Sequence, residues 1–230
     1  MDNPHTGHRE RVRRRFFEEG LEHFAPHEVL EYLLFFSIPA RDTNAIAHRL
    51  IEHFGSLTAV LEAPYEALLA VEGVGPKSAQ LLCSIPGAAR AYFEDTRRKG
   101  TVLDMPGKME EFLRPRFLGA REEQFYLVCL DSRRRVLDCR RLNKGTIDKV
   151  HVDMRAILEI VLRTGATGII LAHNHPAQFA VPSSDDLAVT RYISSVLKTV
   201  SVKVIDHFVF SRDECVSMRE TGYFVAVESQ

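Results

Sequence analysis

The residues with the most chemical capacity in this chain gather between Leu171 and Thr190, in the stretch LAHNHPAQFAVPSSDDLAVT. His173 and His175 form a His-x-His pair, and Ser183 and Asp186 follow beyond a loop that ends at Pro182. Two imidazoles and a carboxylate suit zinc, and three protein ligands with one open position make a catalytic site rather than a structural one. Ser183 has a hydroxyl able to donate to an oxyanion on a carbonyl polarised by such a cation. The same Ser-x-x-Asp spacing ahead of an apolar run is also a helix capping box. The two roles are compatible, because a capping serine accepts with its oxygen and keeps a proton to donate.

These groups converge only if the elements around them point the right way. The apolar run Ala166–Ala172 reads as a strand that ends at His173. After Pro182 a helical pattern covers Ser183–Lys198 and puts Asp186 in its first turn. Upstream, Gln124–Leu130 and Arg135–Leu142 are strand-like and joined by the turn Asp131–Arg134, and Val152–Arg163 is an amphipathic helix stopped by Gly165. Downstream come the strands Val200–Phe210 and Glu214–Met218. Strands alternating with helices predict an α/β layer fold with a partly parallel sheet. Such sheets hold their ligands at the carboxyl ends of strands.

The first half reads differently. Residues 8–99 are helical in pattern: Arg9–Glu19, Glu28–Phe36, a helix capped by Asp42 or Thr43 and stopped by Gly55, then Leu57–Glu62, Tyr65–Val71 and Gln80–Tyr92. The segment Val71-Glu-Gly-Val-Gly-Pro-Lys-Ser-Ala79 resembles the helix-hairpin-helix module of DNA-binding proteins. There Gly73 and Gly75 would let the backbone approach a phosphate, with Lys77 adding charge. The alternative is a tight turn that needs glycine and binds nothing. Residues 1–100 carry 12 Lys and Arg against 14 Asp and Glu, so this half is not basic overall. The run Arg9–Arg15 is a second candidate patch, or simply a solvated helix face. Helical periodicity lapses in Asp95–Gly107, which divides the chain into a helical domain, 1–100, and a metal-binding domain, 101–230, the latter opening on a short helix at Lys108–Leu113.

Composition bounds the rest. The 230 residues are 45% hydrophobic and 27% charged, with net charge −1, so any nucleic-acid contact must be local. Cys83, Cys129, Cys139 and Cys215 have no Cys-x-x-Cys spacing and read as buried thiols of a reducing compartment. A polar, basic N-terminus and no long apolar segment point to a cytoplasmic protein that does not enter a membrane. Oligomeric state leaves no mark in the sequence.

The motifs His173-Asn-His175-Pro176 and Pro182-Ser183-x-x-Asp186, with Lys144-Gly145-Thr146 before them and Asp206-His207 after, resemble the RadC family. The opening GHRERVRRRF and the VEGVG hairpin extend the resemblance over nearly the whole chain. It implies an all-α, helix-hairpin-helix-like N-terminal domain and a JAB/MPN α/β domain of cytidine-deaminase-like architecture. By that likeness Zn2+ is held by His173, His175 and Asp186, and Ser183 stabilises the oxyanion. It further implies a metalloprotease-like hydrolase of peptide or isopeptide bonds with a link to DNA repair. The mechanism wants a glutamate about five residues before the Gly-Thr pair, where Arg140 stands beside Arg141. Arginine cannot act as a base. Asp138 or Glu159 is then the candidate base, and the alternative is a non-catalytic protein that binds DNA or a repair complex. A zinc phosphoesterase, with the two arginines on phosphate, is the weaker third option. His207 is either a further ligand or a hydrogen-bonded core histidine, and Cys139 reaches the metal only from an adjacent strand.

Overall fold

The computed structural model describes residues 4–39, 41–96, 100–142, 147–148, 151–177 and 179–224. The chain divides into two compact units, Met1–Ala89 and Arg90–Gln230, where the sequence placed the boundary at 100.

The first unit is helical: α1 (Pro4–Glu19), α2 (Pro26–Leu34), α3 (Asn44–Phe54), α4 (Leu57–Leu61), α5 (Tyr65–Leu69) and the start of α6 (Pro76–Thr96). Its local signals are those that the sequence carries. Gly55 ends α3 with φ +87, and the Ser56 hydroxyl accepts from the Ala59 N–H at 3.1 Å to start α4. Leu30, Leu34, Ile46, Leu50, Val60, Leu68, Val74 and Leu82 close over one another as its core. Much of the Arg9–Arg15 run is committed within the unit. Arg9 donates to the carbonyls of Ile38, Pro39 and Arg41, and Arg15 pairs with Glu19 and Glu28.

The second unit begins with α7 (Pro106–Leu113) and a 3-10 turn at Arg114–Phe117. Then follow β1 (Phe125–Leu130), β2 (Val136–Leu142), the short pair β3 (Ile147–Asp148) and β4 (His151–Val152), and α8 (Met154–Thr164). The chain continues through β5 (Gly168–Asn174), α9 (Ser184–Thr199), β6 (Lys203–Phe210) and β7 (Cys215–Ser217). Five strands form a mixed sheet in the order β2-β1-β5-β6-β7, in which only β5 and β6 run parallel. The α/β reading and its element boundaries agree with this to within a few residues. The resemblance's Lys144-Gly145-Thr146 lies outside the described residues.

Alternation along the strands builds two cores. Phe125, Leu127, Cys129, Ile169, Leu171 and Val209 face α8 and α9, where Ile157, Val161, Ile193 and Leu197 meet them. Tyr126, Val128, Leu130, Ile170, Ala172, Phe208 and Phe210 face Met109, Phe112 and Leu113 of α7. The central strand β5 is therefore covered on both faces, which is why it reads as an unbroken apolar run. His173 continues the α9 side of that strand. Among the described residues no helix is long and apolar enough to cross a membrane.

Candidate metal centre

The carboxyl end of β5, the loop after it and the first turn of α9 bring His173, His175 and Asp186 together. His173 Nε2 lies 2.9 Å from His175 Nε2 and 3.1 Å from Asp186 Oδ1, and His175 Nε2 lies 3.6 Å from Asp186 Oδ2. Ligands on a tetrahedral zinc with bonds of ~2.0–2.1 Å sit roughly 3.3 Å apart, so these edges have the right length.

Hydrogen bonds on the far side of each ring decide which atoms face the centre. His175 Nδ1 is 3.2 Å from the Phe179 carbonyl, which can only accept, so in the neutral ring Nδ1 carries the proton and Nε2 a lone pair. His173 Nδ1 meets His207 Nε2 at 2.8 Å, and its ring lies parallel to Phe125 with centroids 5.6 Å apart. Burial alone would push the Asp186 carboxyl up. The His173 ring and the Ser183 hydroxyl and amide outweigh it and hold the group well below the usual carboxylate range. His173 Nε2, His175 Nε2 and the Asp186 oxygens thus converge on one point. A cation fits that donor set.

Burial is graded across the site. His173 is fully buried, the side chains of His175 and Asp186 are 10% and 13% exposed, and Glu123 is exposed. Glu123, just ahead of β1, offers a carboxylate oxygen within 4.8 Å of all three groups. The sequence reading missed it. Its position follows from pairing, because Phe125 stands opposite His173 in the β1–β5 ladder. Asn174, between the two histidines, pins the approach: its Oδ1 accepts from the Gln124 N–H at 2.7 Å and its Nδ2 donates to the Glu122 carbonyl at 3.2 Å. The backbone on both sides of Glu123 is therefore tied to the strand carrying the ligands.

The other candidate bases stand elsewhere. Asp138 pairs with Cys129, which faces Ile169, four positions before His173 along β5. That is roughly 13 Å of strand. Its Oδ2 accepts from Arg140 Nε at 2.7 Å. Glu159 is exposed on α8. Cys139 packs into the α7-side core, where its sulfur accepts from Arg116 Nε at 3.1 Å. His207 sits behind His173 and does not face the centre. Ser183 caps α9, accepting from the Asp186 N–H at 3.1 Å and donating its proton to Asp186 Oδ2 at 2.6 Å, so that proton is engaged with the carboxylate.

In the first unit, the Gly73–Lys77 hairpin joins α5 to α6. Gly73 has φ +92, and a Cβ there would lie 2.9 Å from Ile46 Cγ1, so fold demands alone account for it. Gly75 differs, with no positive φ and nothing within 4 Å of a built Cβ. It lines a groove of about 680 Å³ together with Arg41, Lys77 and Ser78, at the N-terminus of α6.

Comparison with known proteins places this arrangement. A family model described as a RadC-like JAB domain matches residues 103–223, the part that holds the sheet and all four converging side chains. The UPF0758 protein FN0909 of Fusobacterium nucleatum is 32% identical over 228 residues, covering 96% of this chain and 98% of that protein, so the likeness spans both units. The chain belongs to the RadC-like JAB domain family.

Proposed function

We propose that the protein is a zinc-dependent hydrolase of amide bonds, peptide or isopeptide, in which His173, His175 and Asp186 hold the metal and Glu123 is the general base. One observation carries this reading. Three residues offer donor atoms at ligand spacing, and the exposed Glu123 carboxylate lies within 4.8 Å of them. Zinc bound there supplies Lewis acidity towards a carbonyl and lowers the pKa of a water towards ~7. Glu123 would take a proton from an attacking water at its carboxylate, as that water's oxygen bonds to the amide carbon, and return it to the amine as the C–N bond breaks. Ser183 donates to the developing oxyanion once its proton turns from Asp186. Asn174 holds the Glu123 backbone in register. Glu123 supplies the acid that Arg140 does not, and this favours a hydrolase over a protein that only binds.

A phosphate-backbone contact at Gly73, Gly75 and Lys77 is the second part of the reading, the link to DNA metabolism. The open space over Gly75 supports it, since no packing demand explains a glycine there. Such binding is independent of base sequence.

Metal content and amide-bond cleavage of a peptide library test the first part together. The unaltered chain is expected to carry about one zinc, the His173→Ala/His175→Ala protein none. Glu123→Gln should keep the zinc and lose about 10²–10⁴ in turnover. Zinc-free protein after reconstitution, or full turnover in Glu123→Gln, sinks the proposal.

A further inference from the structure

The side chains behind the metal ligands form a closed line, and its direction has a consequence for the centre. The Thr190 hydroxyl lies 2.6 Å from the Asp186 carbonyl and 2.6 Å from His207 Nδ1, and His207 Nε2 lies 2.8 Å from His173 Nδ1. Thr190, His207 and His173 are all fully buried, so water cannot substitute for any of these bonds. The line runs from the backbone of the α9 turn bearing one ligand to the ring of another.

Its polarity is fixed at the threonine end. A carbonyl only accepts, so a separation of 2.6 Å requires the Thr190 proton between the two oxygens. That leaves the threonine oxygen as an acceptor, and His207 must present Nδ1–H to it. His207 Nε2 then carries a lone pair and accepts from His173 Nδ1–H. The His173 Nε2 lone pair is left facing the centre.

We propose that Thr190 and His207 are positioning residues that set the His173 tautomer and so keep its Nε2 open to the metal, an inference that rests on the zinc reading above. Removing the threonine hydroxyl leaves His207 Nδ1–H buried without an acceptor. The ring then shifts its proton to Nε2 and donates to His173 Nδ1, and the His173 proton moves to Nε2, where the cation would bind. One hydroxyl two hydrogen bonds away thereby controls a ligand that it does not touch.

Two measurements decide the matter. The first is zinc affinity by competition with a chromophoric chelator for the unaltered chain, Thr190→Val and Thr190→Ser. Thr190→Val is nearly isosteric and should bind about 10–100-fold more weakly, the usual effect of losing an outer partner of a ligand, while Thr190→Ser restores binding. The second is long-range ¹H–¹⁵N spectroscopy of the zinc-loaded, unaltered chain, which reads the tautomers without any substitution. Protons on Nδ1 of both His173 and His207 are expected. A His207 proton on Nε2, or zinc affinity unchanged in a folded Thr190→Val protein, overturns the relay and leaves the zinc site standing. No zinc uptake by the unaltered chain overturns both.

Discussion

At the scale of single residues, one carboxylate serves both the ligand set and the fold. The Asp186 oxygens lie 3.1 and 3.6 Å from the two imidazoles and accept from the Ser183 hydroxyl and amide, contacts that favour the ionised group. Removing the charge should therefore cost the metal-free protein stability as well as zinc affinity. For Asp186→Asn we expect loss of zinc with a metal-free melting temperature below that of the unaltered chain, read by calorimetry with and without chelator. A lower melting temperature with zinc retained would show Asp186 to be a cap and nothing more. Residue types and spacing made His173, His175 and Asp186 legible in the sequence. Glu123 was not legible, although Glu122 and Glu123 stand directly before a strand pattern. Its nearness to His175 depends on which strand pairs with β5 and in what register, and no spacing along one chain encodes that. Asp138 looked closer in sequence, but the ladder carries it away from the ligand end of the sheet.

Elements were the most readable level, because their signals are local. Gly55 and Gly165 stop α3 and α8 in left-handed conformations, and Ser56 and Ser183 cap the helices that follow them. The pair β3–β4 and the 3-10 turn escaped the sequence reading, since two to four residues carry too little periodicity. The start of α2 offers a pH test of such a local device. Glu28 accepts from the Ala25 N–H at 2.8 Å and pairs with Arg15. The Ala25 bond, against the opposing effect of burial and with help from Arg15, holds its carboxyl below the ordinary value. A carboxyl lowered by folding stabilises above its unfolded pKa, and the contribution is lost as pH falls through the folded one. Glu28→Gln should thus cost about 0.5–1 kcal/mol near neutral pH and nothing in strong acid, seen as converging urea midpoints. Parallel curves across that range would remove the charge from the explanation.

For the whole molecule, two units have separate cores, and the family model covers only the second. Net charge is −1, so a nucleic-acid contact would rest on a few side chains and not on a field around the protein. Lys77→Ala is expected to weaken binding to duplex DNA of any sequence. It should also reduce the slope of log affinity against log salt by about 0.9, the value for one phosphate contact. An unchanged slope in a fluorescence-anisotropy titration would make the hairpin a turn and no more. The helical unit was foreseen from its periodicity, while the commitment of Arg9 and Arg15 to partners within it was not, because those partners lie up to 32 residues away.

The burial gradient across the centre also sets a direction of traffic. His173 is sealed, and the exposed side is the one where Glu123 stands. Among the described residues, ion, chelator and peptide would therefore meet at the same exposed side of the centre. A peptide bound there would cover that side, making metal loss slow while it is bound and fast when it is absent. Zinc release to excess chelator, timed by stopped flow, should slow in proportion to the fraction of sites occupied by a peptide that binds there.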